Sequence, residues 1–255
     1  MTRIAYFGHH KSGSTFIATV LRAATGVPLH TEFLSTRLPL GYEKDPAQAA
    51  RIALAYRRLN EKPSTVLSHG NADRAVVETL AAHGPLRGFH VIRDPRDAMV
   101  SGYFWHISDQ SVDSNPWNVE RRARLRAEPD QETGLLREIE FSRCYFDAMA
   151  EWDYARPDVL EMRFEAMIAD PLSLLRDAFT FVGLPTGDLE RIVAEHDFQR
   201  LAGGRSRGQE ARDHKYRKGV AGDWRNHFTP RITEAFKQRY GGLLVRLGYE
   251  ADLNW

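Results

Sequence analysis

Arg3 to Leu21 reads RIAYFGHHKSGSTFIATVL, and the fold follows from how this stretch divides. Ile4-Ala5-Tyr6-Phe7 is an apolar run too short for a helix and suited to a strand buried on both faces. Gly8-His9-His10-Lys11-Ser12-Gly13 follows as a polar loop, and Ser14 or Thr15 then opens a helix whose apolar face is Phe16, Ile17, Val20 and Leu21. A strand-loop-helix unit of this kind leaves backbone N–H groups free at the helix start. With the positive end of the helix dipole and the Lys11 ammonium, they favour a phosphate or sulfate group.

The rest of the chain repeats the alternation of strand and helix. Gly26 to Pro46 contains Pro28, Pro39, Gly41 and Pro46 and reads as a long loop, and Ala47 to Leu59 as a helix. Ser64 to Ser68 is a second strand ending at His69-Gly70, followed by a helix over about Ala72 to Ala82. Gly88 to Ile92 is a third strand running into Arg93-Asp94-Pro95-Arg96-Asp97, with a helix from about Pro95 to Trp105. Residues 106–131 lose the pattern and read as a mobile insertion or short helix over a pocket. Helical periodicity returns from Glu132 to Tyr154, Val159 to Phe164 is a fourth strand, and Asp170-Pro171 opens a helix ending near Gly183. Gly203 to Gly222 reads as a flexible loop, and Thr229-Pro230 starts a last helix reaching Leu247. The pattern predicts one α/β domain over residues 1–255: a central parallel sheet flanked by helices, with its ligand site along the carboxyl edge.

Bulk properties exclude several classes. A net charge of +1 argues against a strongly basic nucleic-acid binder. No stretch approaches the roughly 18 apolar residues of a membrane span. The first strand begins where a signal peptide would stand, which predicts a cytoplasmic protein. Cys144 is the only cysteine, so an internal disulfide is excluded, and no cluster of metal ligands is evident.

Gly8 and Gly13 have the spacing of the nucleotide-triphosphate P-loop, but Ser14 stands where its lysine should be and the lysine lies inside the loop. Lys11-Ser12-Gly13-Ser14-Thr15-Phe16 instead resembles the loop of the sulfotransferases that use 3′-phosphoadenosine 5′-phosphosulfate (PAPS). Two further blocks resemble that family in the expected order: Arg93 to Ser101, RDPRDAMVS, and Arg217 to Thr229, RKGVAGDWRNHFT, where Arg225 replaces the usual lysine. The resemblance implies a P-loop-kinase-like sulfotransferase fold in which His10 to Phe16 hold the phosphosulfate end of the donor. It implies that Arg93, Ser101, Arg217, Lys218 and Gly219 grip the 3′-phosphate, and that Phe16 and Phe198 flank the adenine. Phe164-Glu165 stands where the family has Tyr-Glu, so any contact of the tyrosine hydroxyl is lost.

The reaction so implied moves a sulfuryl group from PAPS to an acceptor hydroxyl or amine of a small molecule or glycan, without a required metal. Lys11 would neutralise charge on the leaving oxygen. Two residues compete as the base for the acceptor's proton: His69, which ends the second strand in Ser-His-Gly, and Glu32 in LHTEFL. The alternative from another class is a P-loop NTPase or small-molecule kinase, which would need an acidic metal holder such as Asp94. Acceptor identity and oligomeric state stay open.

Overall fold

Ala5, Tyr6 and Phe7 are fully buried although their side chains alternate in direction, because the strand they form is covered on both faces. The computed structural model describes residues 2–26, 29–32, 66–69, 72–82, 84–108 and 116–255, with backbone alone at residues 29–32, 68, 69, 79, 116 and 117. Chain order is β1 (Arg3–Gly8), α1 (Ser14–Thr25), β2 (Leu29–Glu32), β3 (Val66–His69), α2 (Arg74–Ala82), β4 (Leu86–Ile92) and α3 (Pro95–Ile107). There follow α4 (Pro116–Arg126), α5 (Gln131–Phe141), α6 (Arg143–Glu151), β5 (Val159–Arg163), α7 (Phe164–Ala169) and α8 (Pro171–Val182). Helices α9 (Leu189–Glu195), α10 (Phe198–Leu201) and α11 (Pro230–Arg246) close the chain, with a 3-10 turn at Asp223–Asn226.

The five strands form one sheet in the order β2-β3-β1-β4-β5, and every pairing is parallel. Tyr6, Phe89 and Val91 pack on one face with Ile17, Val20 and Leu21 of α1 and Leu175, Ala178 and Phe179 of α8. Ala5, Phe7 and Leu67 pack on the other with Val76, Val77 and Leu80 of α2 and with Trp152. A third core joins α3, α5, α6 and α11 through Met99, Ile139, Phe146 and Phe236. Among the described residues no helix is long and apolar enough to cross a membrane.

The parallel α/β architecture expected from the sequence is therefore present, with two differences. Leu29–Glu32 is a strand inside the segment read as loop; at four residues, with one apolar side chain, it lacks a hydrophobic run. The helix expected over Glu132 to Tyr154 is two helices that meet at Ser142. Of the two readings of residues 106–131, the short helix is present at Pro116–Arg126, and its Arg121 is buried. The helix expected over Ala47 to Leu59 lies outside the described residues. Residues 203–221 contain no helix or strand, but Arg205 donates to the carbonyls of Tyr216 (2.7 Å) and Arg217 (2.9 Å), which ties this stretch to itself.

Candidate active site

At the carboxyl edge of the sheet, β1 leaves into the loop His9–Gly13. Ser12 shapes it: its hydroxyl donates to the His9 carbonyl (2.7 Å) and accepts from the His9 N–H (3.0 Å), while its own N–H bonds the same carbonyl (3.1 Å). Ser12 is buried and does not line the cavity, so it builds the loop and does not present its hydroxyl to a ligand. Lys11 takes a positive φ of 63°, rare for a side-chain-bearing residue. Gly13 also has φ at 88°, and a Cβ there would lie 2.8 Å from Met167 Cε and 3.1 Å from the Phe164 ring. Only glycine lets the loop lie this close to α7. The opening N–H groups of α1 then face the cavity with no preceding helical turn to bond.

Arg93 enters from the end of β4. Its Nη1 donates to the Lys11 carbonyl (3.0 Å) and its Nη2 to the Val220 carbonyl (3.4 Å). The guanidinium lies 4.4 Å above the Phe164 ring, so the phenylalanine that lacks the family's hydroxyl serves as its platform. Glu165 accepts from the Asp94 N–H (2.9 Å) and is bonded by the Tyr249 hydroxyl (3.2 Å). Asp94 caps α3 at the Arg96 N–H (2.9 Å) and pairs with the Arg96 guanidinium (2.7 Å). It is absent from the cavity lining, away from the role a metal-holding aspartate would need. Ser101, about two turns into α3, does line the cavity.

The third sequence block is fastened onto α3. Asp97 accepts from the backbone N–H groups of Gly222 (2.6 Å) and Trp224 (2.9 Å), and Arg96 lies 3.9 Å from the Trp224 ring and 4.6 Å from that of Trp255. Arg217 is paired with Glu210 and Asp223, and Lys218 Nζ is 2.5 Å from Asp223. Burial of Asp223 works against ionisation, but hydrogen bonds from His227, Lys218, Arg217 and Asn226 outweigh it and hold the carboxyl far below the usual range. Gly219, at φ 69°, lies flat on Phe198. Phe198 also sits beneath Arg207, 5.1 Å away, so it braces this loop as well as lining the cavity.

These pieces meet in one cavity of about 370 Å³. Of the residues expected from sequence, His10, Lys11, Gly13, Ser14, Thr15, Phe16, Arg93, Ser101, Phe198, Arg217, Lys218 and Gly219 line it. Burial first, then the charges of Arg93, Lys215 and Arg217, push the Lys11 ammonium down to about 7. Its Nζ rests 4.9 Å from the Trp105 ring, a partner that sequence reasoning missed. The Nε atoms of Arg93 and Arg217 are buried and have no hydrogen-bond partner among the described residues. A buried guanidinium with a donor to spare beside a lysine suits a multiply charged phosphate ester.

Sequence reasoning also missed a buried polar cluster behind Lys11. His10 is stacked between His106 (centroids 5.0 Å) and Tyr145 (4.6 Å). Burial and the neighbouring charges of His106, Lys11 and Arg121 keep His10 well below the ordinary imidazole value, hence neutral. Glu138 is held by Arg121 (2.6 Å) and faces His106 Nδ1 (3.1 Å), and burial pushes its carboxyl up to about 7. His10 thus anchors the loop to α3 and α6 as well as lining the cavity.

The two competing bases fall on neighbouring strands. Glu32 on β2 registers with His69 on β3, and His69 with Phe7 on β1, so both candidates end their strands in one lateral row beside the loop. Their side chains lie outside what is described. A grouping that the sequence did not reveal is Glu210, Asp223 and His227, whose ligand atoms lie within 4.8 Å of one another. Arg217 and Lys218 already supply positive charge there.

Comparison with known proteins gives the family and the fold. A family model described as "Sulfotransferase domain" matches residues 2–248. The chain is 28% identical over 163 residues to a 3-alpha-hydroxysteroid sulfotransferase of Cavia porcellus, covering 59% of this chain and 53% of that protein. It is 27% identical over 205 residues to mouse sulfotransferase 2B1, covering 69% of this chain and 57% of the relative. The match therefore spans little more than half the length of these relatives. In fold, it superposes on mouse sulfotransferase SULT7A1 complexed with PAP with a TM-score of 0.59 at 17% identity, covering 95% of this chain and 84% of the other. Retinol dehydratase in complex with androsterone and inactive cofactor PAP gives a TM-score of 0.53 at 16% identity, covering 96% and 82%.

Proposed function

The chain belongs to the sulfotransferase domain family, and from that premise we propose that it transfers the sulfuryl group of PAPS to a hydroxyl or amine of a small-molecule or glycan acceptor. The observation that carries this reading is the single cavity shared by the Lys11 loop, Arg93 with Ser101, and the Arg217–Gly219 turn. Two anion-binding devices joined by an apolar stretch that includes Phe16 match the two charged ends and aromatic middle of PAPS. Bound there, PAPS supplies an activated sulfuryl group.

The chain's own residues then have separable tasks. The first-turn N–H groups of α1 and the Lys11 ammonium neutralise charge appearing on the leaving oxygen. Arg93, Ser101, Arg217, Lys218 and the Gly219 backbone fix the 3′-phosphate and so the distance between donor and acceptor. His69, with Glu32 as the rival, takes the acceptor's proton as its oxygen or nitrogen bonds to sulfur and the bridging S–O bond breaks. This direct in-line transfer calls for no covalent enzyme intermediate and no metal.

The test is thermal stabilisation by adenosine 3′,5′-bisphosphate in the presence of a chelator, followed by incubation with PAPS and candidate acceptors and mass spectrometry for an added sulfo group. Stabilisation by magnesium-ATP but not by the bisphosphate would sink the reading in favour of a P-loop NTPase or kinase.

A further inference from the structure

Phe7, His90 and Glu161 occupy one lateral row of the sheet, across β1, β4 and β5. His9, which begins the anion loop, reaches back over this row: its Nε2 is 2.8 Å from Nε2 of His90, and His90 Nδ1 is 2.7 Å from Glu161 Oε2. Both rings are fully buried, whereas the Glu161 side chain is 26% exposed. Glu161 also lines a second cavity of about 580 Å³ with Arg74, Trp152, Tyr154, Arg163 and Arg246. The functional reading above uses neither of these two contacts.

We propose that His9, His90 and Glu161 form a buried proton wire between the base of the anion loop and the second cavity. Trp152 Nε1 donates to Glu161 Oε1 (2.7 Å), which leaves Oε2 as the oxygen that carries or lacks the proton. With Oε2 protonated, it donates to His90 Nδ1, His90 donates through Nε2 to His9 Nε2, and His9 bears its proton on Nδ1. With Oε2 ionised, every bond reverses: His9 donates through Nε2, His90 through Nδ1, and His9 Nδ1 is bare. From the ionised arrangement, one proton entering at His9 Nδ1 therefore arrives as one on Glu161 Oε2, and the reverse passage returns it, with neither ring becoming an imidazolium. Burial holds His90 down to about 3, which keeps it from trapping charge. Burial, against the Trp152 bond and reinforced by Asp153, pushes Glu161 up to about 8. Glu151, Tyr154, Arg163 and Arg246 are the other titratable or charged groups that line this cavity among the described residues, and Arg74 across it is paired with Glu78.

The test needs no substrate. Histidine nitrogens of the full chain, labelled with 15N, are followed from about pH 6 to 10 in the wild type and in Glu161→Gln. Expected in the wild type is that both rings stay neutral and exchange their protonated nitrogen together near pH 8, while Glu161→Gln holds His90 protonated on Nε2 and His9 on Nδ1 throughout. An imidazolium at either position, no exchange in the wild type, or an exchange unchanged by Glu161→Gln overturns the wire. Should that variant not fold, the wild-type series alone decides. If no sulfuryl transfer is found for the wild type, the functional reading fails separately, and the tautomer result stands.

Discussion

Arg93 Nη1 donates to the carbonyl of Lys11 at 3.0 Å, so the guanidinium at the end of β4 holds the backbone of the described residue that adopts positive φ without being glycine. One arginine thereby has two tasks: it braces the Lys11 loop and offers a ligand an Nε that has no partner among the described residues. Charge-assisted hydrogen bonds of this kind are worth about 1.5–3 kcal/mol. Arg93→Ala should weaken adenosine 3′,5′-bisphosphate binding by roughly 10- to 100-fold in calorimetry. Arg93→Lys should restore little, since a point charge cannot keep the carbonyl and the phosphate together. Full rescue by lysine would show that charge alone matters.

Lys11, pushed down to about 7 by burial and by Arg93, Lys215 and Arg217, is largely neutral at pH 8 in the free protein. A bound anion favours the ammonium, so its value must rise on binding, and at pH 8 the complex takes up about one proton. Affinity should accordingly fall as pH climbs above 7. Calorimetry in buffers of different ionisation enthalpy measures the uptake directly, and Lys11→Arg, always charged, should abolish it. Binding enthalpies that do not depend on the buffer would contradict the assignment.

What the sequence disclosed and what it hid divide along a physical line. The Lys11 loop, the RDPRD turn and the Arg217–Gly219 block were legible because each is a contiguous motif whose function comes from backbone geometry and local side chains. The His10–His106–Tyr145 stack and the Arg121–Glu138 pair were not, because they join α3, α4, α5 and α6 through contacts that no local spacing encodes. Arg96 and Asp97 look like ordinary surface charges in a helix start. In the structure they are buried, and Asp97 fastens Gly222 and Trp224 to α3. Strand β2 escaped notice because its pattern is too short and polar to show a period.

Glu32 and His69 pair in register, so a single substitution at either can be compared at nearly the same place in the sheet. The expected outcome is that His69→Ala lowers kcat by about 10²- to 10⁴-fold, as loss of a general base does, with donor KM little changed. Glu32→Ala should cost much less. A near-normal His69→Ala enzyme beside an inactive Glu32→Ala enzyme would transfer the role to the glutamate.

Gly219 is the place where backbone conformation and packing coincide: at φ 69°, a Cβ would fall 2.3 Å from the Phe198 ring. Gly219→Ala should therefore displace the turn that carries Arg217 and Lys218 and weaken nucleotide binding by about tenfold, from a strain of roughly 1–2 kcal/mol. Adding Phe198→Ala should recover part of that loss, because the two residues are in contact and their effects cannot be additive. Strict additivity in the double variant would mean that the turn moves independently of the ring.

Asp223 sets the charge that Arg217 and Lys218 can lend to a ligand. Its folded-state value is depressed, since hydrogen bonds from His227, Lys218, Arg217 and Asn226 overcome the opposing effect of burial. A depressed carboxyl contributes stability that is present above its unfolded value, near 4, and is lost as pH falls through the folded one. Asp223→Asn should thus lower the melting temperature most at neutral pH, on the order of 3 kcal/mol for a broken buried pair, and the gap from the wild type should narrow in acid. Nucleotide binding responds to two opposed effects: the variant frees positive charge for the 3′-phosphate, but it also releases the side chains that aim it. Because Arg217 is still paired with Glu210 and Lys218 is left without its described carboxylate partner, loss of aim should dominate, giving weaker binding with a steeper salt dependence. Tighter binding at every ionic strength would instead show that Asp223 competes with the phosphate for both cations.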